Sequence, residues 1–106
     1  MKNSILLFYI PCKNKKEAIA LSKKCIEAKL AACANIFPIT SIFPWNKKIE
    51  NASEFTILLK TIPKLEKQLS KYISKNHSYE IPCIATTKFK VNKEYFNWMN
   101  TILVDG

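Results

Sequence analysis

The stretch that most constrains this chain runs from Lys29 to Thr61. Ile36, Phe37, Ile39, Ile42 and Phe43 load its first half with β-branched and aromatic residues, and in its second half Phe55, Ile57 and Leu59 alternate with Glu54, Thr56 and Lys60. The period of two marks a half-buried strand, so the whole stretch reads as one long β-hairpin. Its reversal falls in Trp45-Asn46-Lys47-Lys48. Tight reversals need residues at positive φ, and Asn46 is the one inexpensive candidate, because the only glycine of the chain is Gly106. Each arm outruns the roughly 5–6 residues of a typical strand. A chain of 106 residues has too few helices to cover such arms, so the excess is expected to pack on a second copy of the chain.

The remaining elements follow in order. Ser4 to Ile10 is a continuous apolar run, expected of a central strand covered on both faces. Asn14, three residues before Glu17, is a workable helix N-cap, and Ala18, Leu21, Cys25 and Ala28 follow at helical spacing, which predicts a helix over 15–29 with Cys25 in the core. Pro38 cannot donate to a ladder and predicts a bulge or bend midway along the first hairpin arm. Pro63 suits the first position of a second helix carrying Leu65, Leu69, Tyr72 and Ile73, with Asn76 as its stop. Residues 81–91 read as a strand with Pro82 near its start and Ile84, Ala85, Phe89 and Val91 as burial candidates. Asn92 then caps a short final helix with Tyr95, Trp98, Met99 and Ile102. The order β-α-β-β-α-β plus a terminal helix is the ferredoxin-like α+β plan, a single domain over residues 1–106 with two helices on one sheet face. Oligomerisation through the other face and the long hairpin would cover both.

Composition excludes more than it assigns. The net charge of +9 invites a polyanion partner, but all 17 basic residues are lysine. Base readout and bidentate phosphate recognition lean on the arginine fork, so the residues argue against nucleic acid. No stretch approaches transmembrane length. The apolar run before Pro11 is shorter than a signal-peptide core, and no A-x-A site follows, which gives a cytoplasmic expectation with reduced thiols. Four cysteines, Cys12, Cys25, Cys33 and Cys83, show no CxxC pair. Catalysis finds no support. There is one histidine and no phosphate loop, and Glu50 and Glu54 would lie about 13 Å apart on one strand face. The soft donors Cys33, Cys83, Cys12 and His77, with Glu80 as a harder neighbour, favour copper or zinc. Trp45 beside the hairpin tip lacks local chain to cover it and is expected to be buried by a neighbouring subunit.

These motifs resemble a known family. Lys29-Leu30-Ala31-Ala32-Cys33-Ala34-Asn35-Ile36 resembles the K-L-A-A-C-V-N-I signature of the CutA divalent-cation tolerance proteins. So do Ser41-Ile42-Phe43-Pro44-Trp45 running into Lys48-Ile49-Glu50, then Glu54 and Leu58-Leu59-Lys60-Thr61, the H-P-Y-E-x-P-like His77-Ser78-Tyr79-Glu80-Ile81-Pro82, and the closing Tyr95-Phe96-Asn97-Trp98. Lys47 stands where the family usually has the glycine of W-x-G-K, Ser78 replaces the proline of H-P-Y-E, and Cys83 takes a position that is often glutamate. The resemblance implies a homotrimer with intersubunit clefts and a link to copper and other divalent cations. On that reading Cys33, His77 and Glu80 are the metal candidates, and Trp45, Lys60 and Tyr79 the cleft or interface residues. The family is similar in architecture to the trimeric PII signalling proteins, which implies the alternative of a small effector, an anion near Lys60 or His77.

Overall fold

A computed structural model of the chain describes residues 3–104. Met1, Lys2, Asp105 and Gly106, the single glycine among them, lie outside the described residues. Strand β1 (Ser4–Cys12) leads into helix α1 (Lys15–Glu27), and the long hairpin of β2 (Cys33–Trp45) and β3 (Lys48–Thr61) follows. A 3-10 turn over Pro63–Leu65 opens α2 (Glu66–Asn76), and β4 (Ala85–Lys90) and α3 (Lys93–Ile102) complete the chain. The four strands form one antiparallel sheet in the order β2-β3-β1-β4, the α+β, ferredoxin-like arrangement anticipated from the element order.

The helix boundaries have local causes. Asn14 accepts the Glu17 N–H at 2.8 Å, and Glu17 in turn accepts the Lys13 N–H at 3.1 Å, so two donors at the start of α1 are satisfied. The helix ends two residues before the expected 29. Lys29 takes a left-handed φ of 61°, with the Lys29 N–H on the Ile26 carbonyl and the Leu30 N–H on the Cys25 carbonyl. That pair of bonds is a Schellman stop, here built on lysine rather than glycine. Pro63 sits at the start of the second helical segment, and α2 stops at Asn76.

The hairpin turns on Asn46 (φ 50°) and Lys47 (φ 65°). Both central residues are left-handed, the type I′ pattern whose twist matches the strands, reached without the family's glycine. The expected bulge at Pro38 is absent: the β2–β3 register runs unbroken from Cys33↔Lys60 to Trp45↔Lys48. The reason lies in position. Antiparallel pairs alternate between hydrogen-bonded and non-hydrogen-bonded, and counting from Trp45↔Lys48, which closes the two-residue turn, Pro38 and Pro44 fall on the second kind. Their missing N–H groups point to the free edge of β2, an edge strand, where a proline costs no ladder bond.

The register sorts the residues into two faces. Leu6, Phe8, Ile10 and Cys12 share a side with Ile57, Leu59 and Thr61. Thr61 on this side donates to the Leu30 carbonyl at 2.7 Å, and Thr86 reaches Glu66 of α2, so this is the face under α1 and α2. Ala18, Leu21 and Cys25 of α1 and Leu69 and Ile73 of α2 complete its core. The opposite face carries Ile5, Leu7, Tyr9, Leu58, Lys60, Cys33 and Phe37. Helix α3 lies against one end of it, with the Lys60 Nζ 5.3 Å from the centroid of the Tyr95 ring and Met99 fully buried.

The rest of that face stays open, with Tyr9, Phe37 and Phe89 exposed. The hairpin projects beyond the helices and stretches the molecule to 46 × 24 × 21 Å, leaving Trp45 62% and Ile49 74% exposed. Strand β4 begins at Ala85, later than the expected 81, and every residue in it is exposed. Ala85 and Phe89 are therefore not core residues, whereas Ile84 and Val91, just outside the strand, pack against the core. As an edge strand, β4 has one face on the open side and the other on the rim of α2.

Candidate functional site

Where β1 runs out, three chemistry-bearing side chains meet. Cys12 is the last residue of β1, Glu17 stands in the first turn of α1, and His77 caps α2. One ligand atom from each lies within 4.8 Å of the other two. Local structure explains each placement. Cys12 points to the helix face with Ile10 and is 0% exposed, its thiol donating to the Ile10 carbonyl at 3.8 Å. Burial, with the Glu17 and Glu54 carboxylates next in weight, pushes its pKa up to about 12. Glu17 holds the Lys13 N–H with one oxygen and the Ser78 N–H, at 2.9 Å, with the other. Burial alone would raise the Glu17 pKa, but the Ser78 hydroxyl and those two N–H groups outweigh it and hold the carboxyl below its ordinary value.

His77 is 9% exposed, and both its ring nitrogens are engaged. Nε2 lies 2.9 Å from the Pro11 carbonyl, which can only accept, and Nδ1 receives the Tyr79 N–H at 3.1 Å. The two bonds together specify the neutral imidazole with its proton on Nε2. The Tyr79 ring packs at 4.9 Å from the imidazole, and its hydroxyl donates to Glu54 at 2.5 Å. Glu54, on β3 and 8% exposed, receives the Ser41 hydroxyl of β2 on its other oxygen. Burial and the bond to Glu54 raise the Tyr79 pKa well above the usual phenol value. A continuous polar chain thus links His77 to the base of the hairpin.

The sequence-derived candidates divide into separate groups. His77 and Tyr79 belong to this cluster. Cys33 lies opposite Lys60 on the other sheet face, and Lys60 in turn lies opposite Leu7, four positions along β1 from the Pro11 that holds His77, or about 13 Å. There Lys60 sits over the Tyr95 ring, and Trp98 packs on Tyr95 with centroids 5.4 Å apart. The Tyr95 hydroxyl is buried beside the Cys33 thiol, and burial followed by the hydrogen bond with that thiol raises its pKa to about 12. Glu80 is exposed beside the cluster, and Trp45 stands alone at the hairpin tip. Within one chain, Cys33, His77 and Glu80 therefore do not form a single donor set. Glu17 is the functional candidate that sequence reasoning missed, because its capping role hid its second acceptance, from Ser78. Two open depressions of ≈ 430 and ≈ 220 Å³ run along α2 and share no residue with either group.

A thiol, a carboxylate and an imidazole make a mixed sulfur, oxygen and nitrogen set, the kind that suits borderline cations such as zinc or copper. The set fits a divalent cation in a further respect: the Pro11 carbonyl already fixes the imidazole tautomer, as carbonyls do behind metal-bound histidines. No helix among the described residues is long and apolar enough to cross a membrane.

Comparison with known proteins places these features. An Archaeoglobus fulgidus protein called divalent-cation tolerance protein CutA is 39% identical over 93 residues, covering 87% of this chain and 91% of its own length. The mouse protein CutA is 34% identical over 93% of this chain, which spans 57% of the mouse protein. A solved Archaeoglobus fulgidus structure, called periplasmic divalent cation tolerance protein CutA, superimposes with a TM-score of 0.89 at 36% identity over 92% of this chain and 97% of its own. The family model of the CutA1 divalent ion tolerance protein matches residues 6–102, and with that match over nearly its whole length the chain belongs to the CutA1 divalent ion tolerance family.

Proposed function

We propose that this chain acts as a non-catalytic homotrimer of the cytoplasm that serves divalent-metal tolerance or homeostasis and binds copper or another divalent cation weakly. The observation that carries the reading is the open apolar surface, Tyr9, Phe37 and Phe89 on the sheet and Phe43, Trp45 and Ile49 on the hairpin. A surface of that size on a chain this small calls for a partner, and closed cyclic symmetry is the commonest way to cover a single patch. Membership of the family supports the link to divalent cations. Four free thiols suit a reducing compartment. The test is light scattering on the metal-free protein, joined to an anaerobic titration with Cu(I) against a competing chelator. A mass of three chains and saturable binding at a whole-number ratio are expected. A monomer would overturn the assembly, and affinity no greater than that of free thiols would overturn the metal role.

One observation favours a second reading, a small-effector module of the PII kind. Lys60, Tyr95 and Trp98 place an ammonium group and two rings together, with the phenol hydroxyl buried beside the Cys33 thiol. A small anion bound there in a trimer cleft would raise the thermal midpoint without metal and would lose that effect in Lys60→Met.

A further inference from the structure

We propose that the lysine row of α2 is a docking surface for an acidic segment of another protein, one that carries an apolar residue among its carboxylates. The inference needs neither the metal reading nor the trimer and goes beyond both. It starts from where the charge sits. Residues 13–29 and 63–76, which hold α1 and α2 with their flanks, carry 10 of the 17 lysines against three of the eight acidic residues, and so bear +7 of the net +9. A bias of composition would spread its lysines over the chain. Here they gather on the helix layer, away from the open sheet face.

Within that layer α2 sets up a row. Lys67, Lys71 and Lys75 follow one another at i+4, Lys64 stands one turn ahead in the 3-10 segment, and all four are exposed. A step of four residues advances about 6 Å along the axis and turns through about 40°, so the four side chains start from one stripe about 16 Å long. A solvated helix face ordinarily sets a carboxylate four residues from a lysine, because opposite charges at that spacing stabilise a helix and like charges destabilise it. In α2 lysine follows lysine twice. The one acidic residue of the segment, Glu66, is engaged with β4, accepting the Thr86 hydroxyl at 3.1 Å. The helix thus carries a repulsion that an external anion would relieve.

The surface beside the row points to the kind of anion. One open depression of ≈ 430 Å³ is lined by Pro63, Lys64, Glu66, Lys67 and Ser70, and a second of ≈ 220 Å³ by Leu30, Gln68, Lys71, Tyr72 and Lys75. The second has Leu30 and Tyr72 as an apolar floor between two ammonium groups, with room for one large apolar side chain. A phosphate polymer has nothing to place on that floor, and the arginine fork suits it better than the point charge of lysine. Adsorption to an anionic bilayer needs an apolar face to insert, whereas Ile19 is the only large hydrophobic side chain exposed on α1 or α2 among the described residues. Carboxylates at every fourth residue of a helix, or every second residue of an extended chain, repeat at about 6–7 Å, the spacing of the row. An acidic segment with an apolar residue meets both the charges and the floor.

The test is fluorescence anisotropy of a labelled peptide of alternating glutamate and serine with one central leucine, titrated with the full-length chain. Saturable binding is expected at low ionic strength, weakening as salt is added. The Lys67→Gln/Lys71→Gln/Lys75→Gln variant should bind about tenfold more weakly, the worth of three exposed ion pairs. Glutamine keeps the helix propensity of lysine, and the variant's thermal midpoint should rise by about 2–8 °C as the repulsion is removed. Lys15→Gln/Lys16→Gln/Lys23→Gln on α1 makes the same change of net charge off the row and should cost about twofold or less. Replacing the peptide's leucine with serine should cost about threefold or more. No saturable binding, or an equal loss in the α1 variant, would overturn the row as a docking surface. So would a lowered midpoint in the α2 variant, which would give the lysines to the fold. Unchanged affinity of the serine peptide would overturn the apolar anchor. Displacement of the peptide by inorganic polyphosphate, or by phosphatidylserine vesicles, at a lower concentration of charge than the unlabelled peptide needs would overturn the protein partner.

Discussion

The bond between Tyr79 and Glu54 lends itself to a quantitative test, because the carboxylate is buried and held by hydroxyls on both oxygens. Tyr79→Phe removes one hydroxyl and leaves a lone pair of an 8% exposed carboxylate without a donor. Hydrogen bonds to charged groups are worth about 1.5–3 kcal/mol, and the cost is greatest when a buried acceptor is left unmade. We therefore expect Tyr79→Phe to lose about 2–3 kcal/mol. At roughly 4–8 °C per kcal/mol for a domain near this size, the thermal midpoint should fall by about 10 °C or more. The assay is guanidinium unfolding of the metal-free protein at one fixed protomer concentration, since an oligomer's stability depends on it. A double-mutant cycle separates the bond from the ring. In a Glu54→Leu background the carboxylate is gone, so Tyr79→Phe should then cost nothing or stabilise slightly. A loss below about 0.5 kcal/mol in the wild-type background, or an equal loss in both backgrounds, would refute the argument that the hydroxyl serves the carboxylate.

Three further outcomes are expected. Lys47→Gly should stabilise the protein by up to about 1 kcal/mol in denaturant unfolding, because the left-handed penalty of roughly 1–2 kcal/mol at φ 65° is removed and only partly offset by the greater freedom of glycine in the unfolded chain. Trp45→Ala should shift the mass in light scattering toward smaller species, and an unchanged trimer would show that the exposed indole does not serve the assembly. The Cys12 and Cys25 thiols, both pushed up to about 12 by burial, should make stability fall at alkaline pH. Their stabilising contribution is complete below the unfolded thiol pKa near 8.5 and is lost as pH rises from there toward the folded value, at up to about 1.4 kcal/mol per pH unit per thiol. Unfolding midpoints measured from pH 8 to 11 check this, and a flat profile would count against it.

The parts of the fold visible in the sequence are those with local causes. Alternation in Phe55, Ile57 and Leu59, the Asn14 cap and Pro63 at a helix start each act within a few residues and appear in the structure where expected. Pro38 misled because the cost of a missing N–H depends on whether β2 has a neighbour on that side, a property of the whole sheet. The start of β4 misled for a related reason, since Ile81 and Ile84 look like strand residues whatever the pairing. At the site, Cys33 and Lys60 could be placed together from the hairpin register alone. The meeting of Cys12 and Glu17 with His77 could not. It joins residues sixty or more positions apart, and it is fastened by the Pro11 carbonyl and the Ser78 and Tyr79 amides, groups that every sequence contains and none displays.

The site owes its place to the point where the sheet ends. β4 pairs with β1 only as far as Ala85↔Tyr9, and the next hydrogen-bonded partners in that register, two positions on, would be Pro11 and Cys83. The strand starts only at Ala85, so the Cys83 N–H never reaches the ladder there. Pro11 itself has no N–H to leave stranded, yet its carbonyl remains to be satisfied. With no strand alongside, that carbonyl takes the His77 Nε2–H at 2.9 Å and leaves Nδ1 unprotonated to receive the Tyr79 N–H. Had β4 reached Cys83, the ladder would have used the carbonyl, and only the Tyr79 N–H on Nδ1 and the Ser78 N–H on Glu17 would have been left to hold the imidazole and its segment in place. The carbonyl of one proline, left free where a strand stops, thus joins two backbone amides in positioning the cysteine, glutamate and histidine.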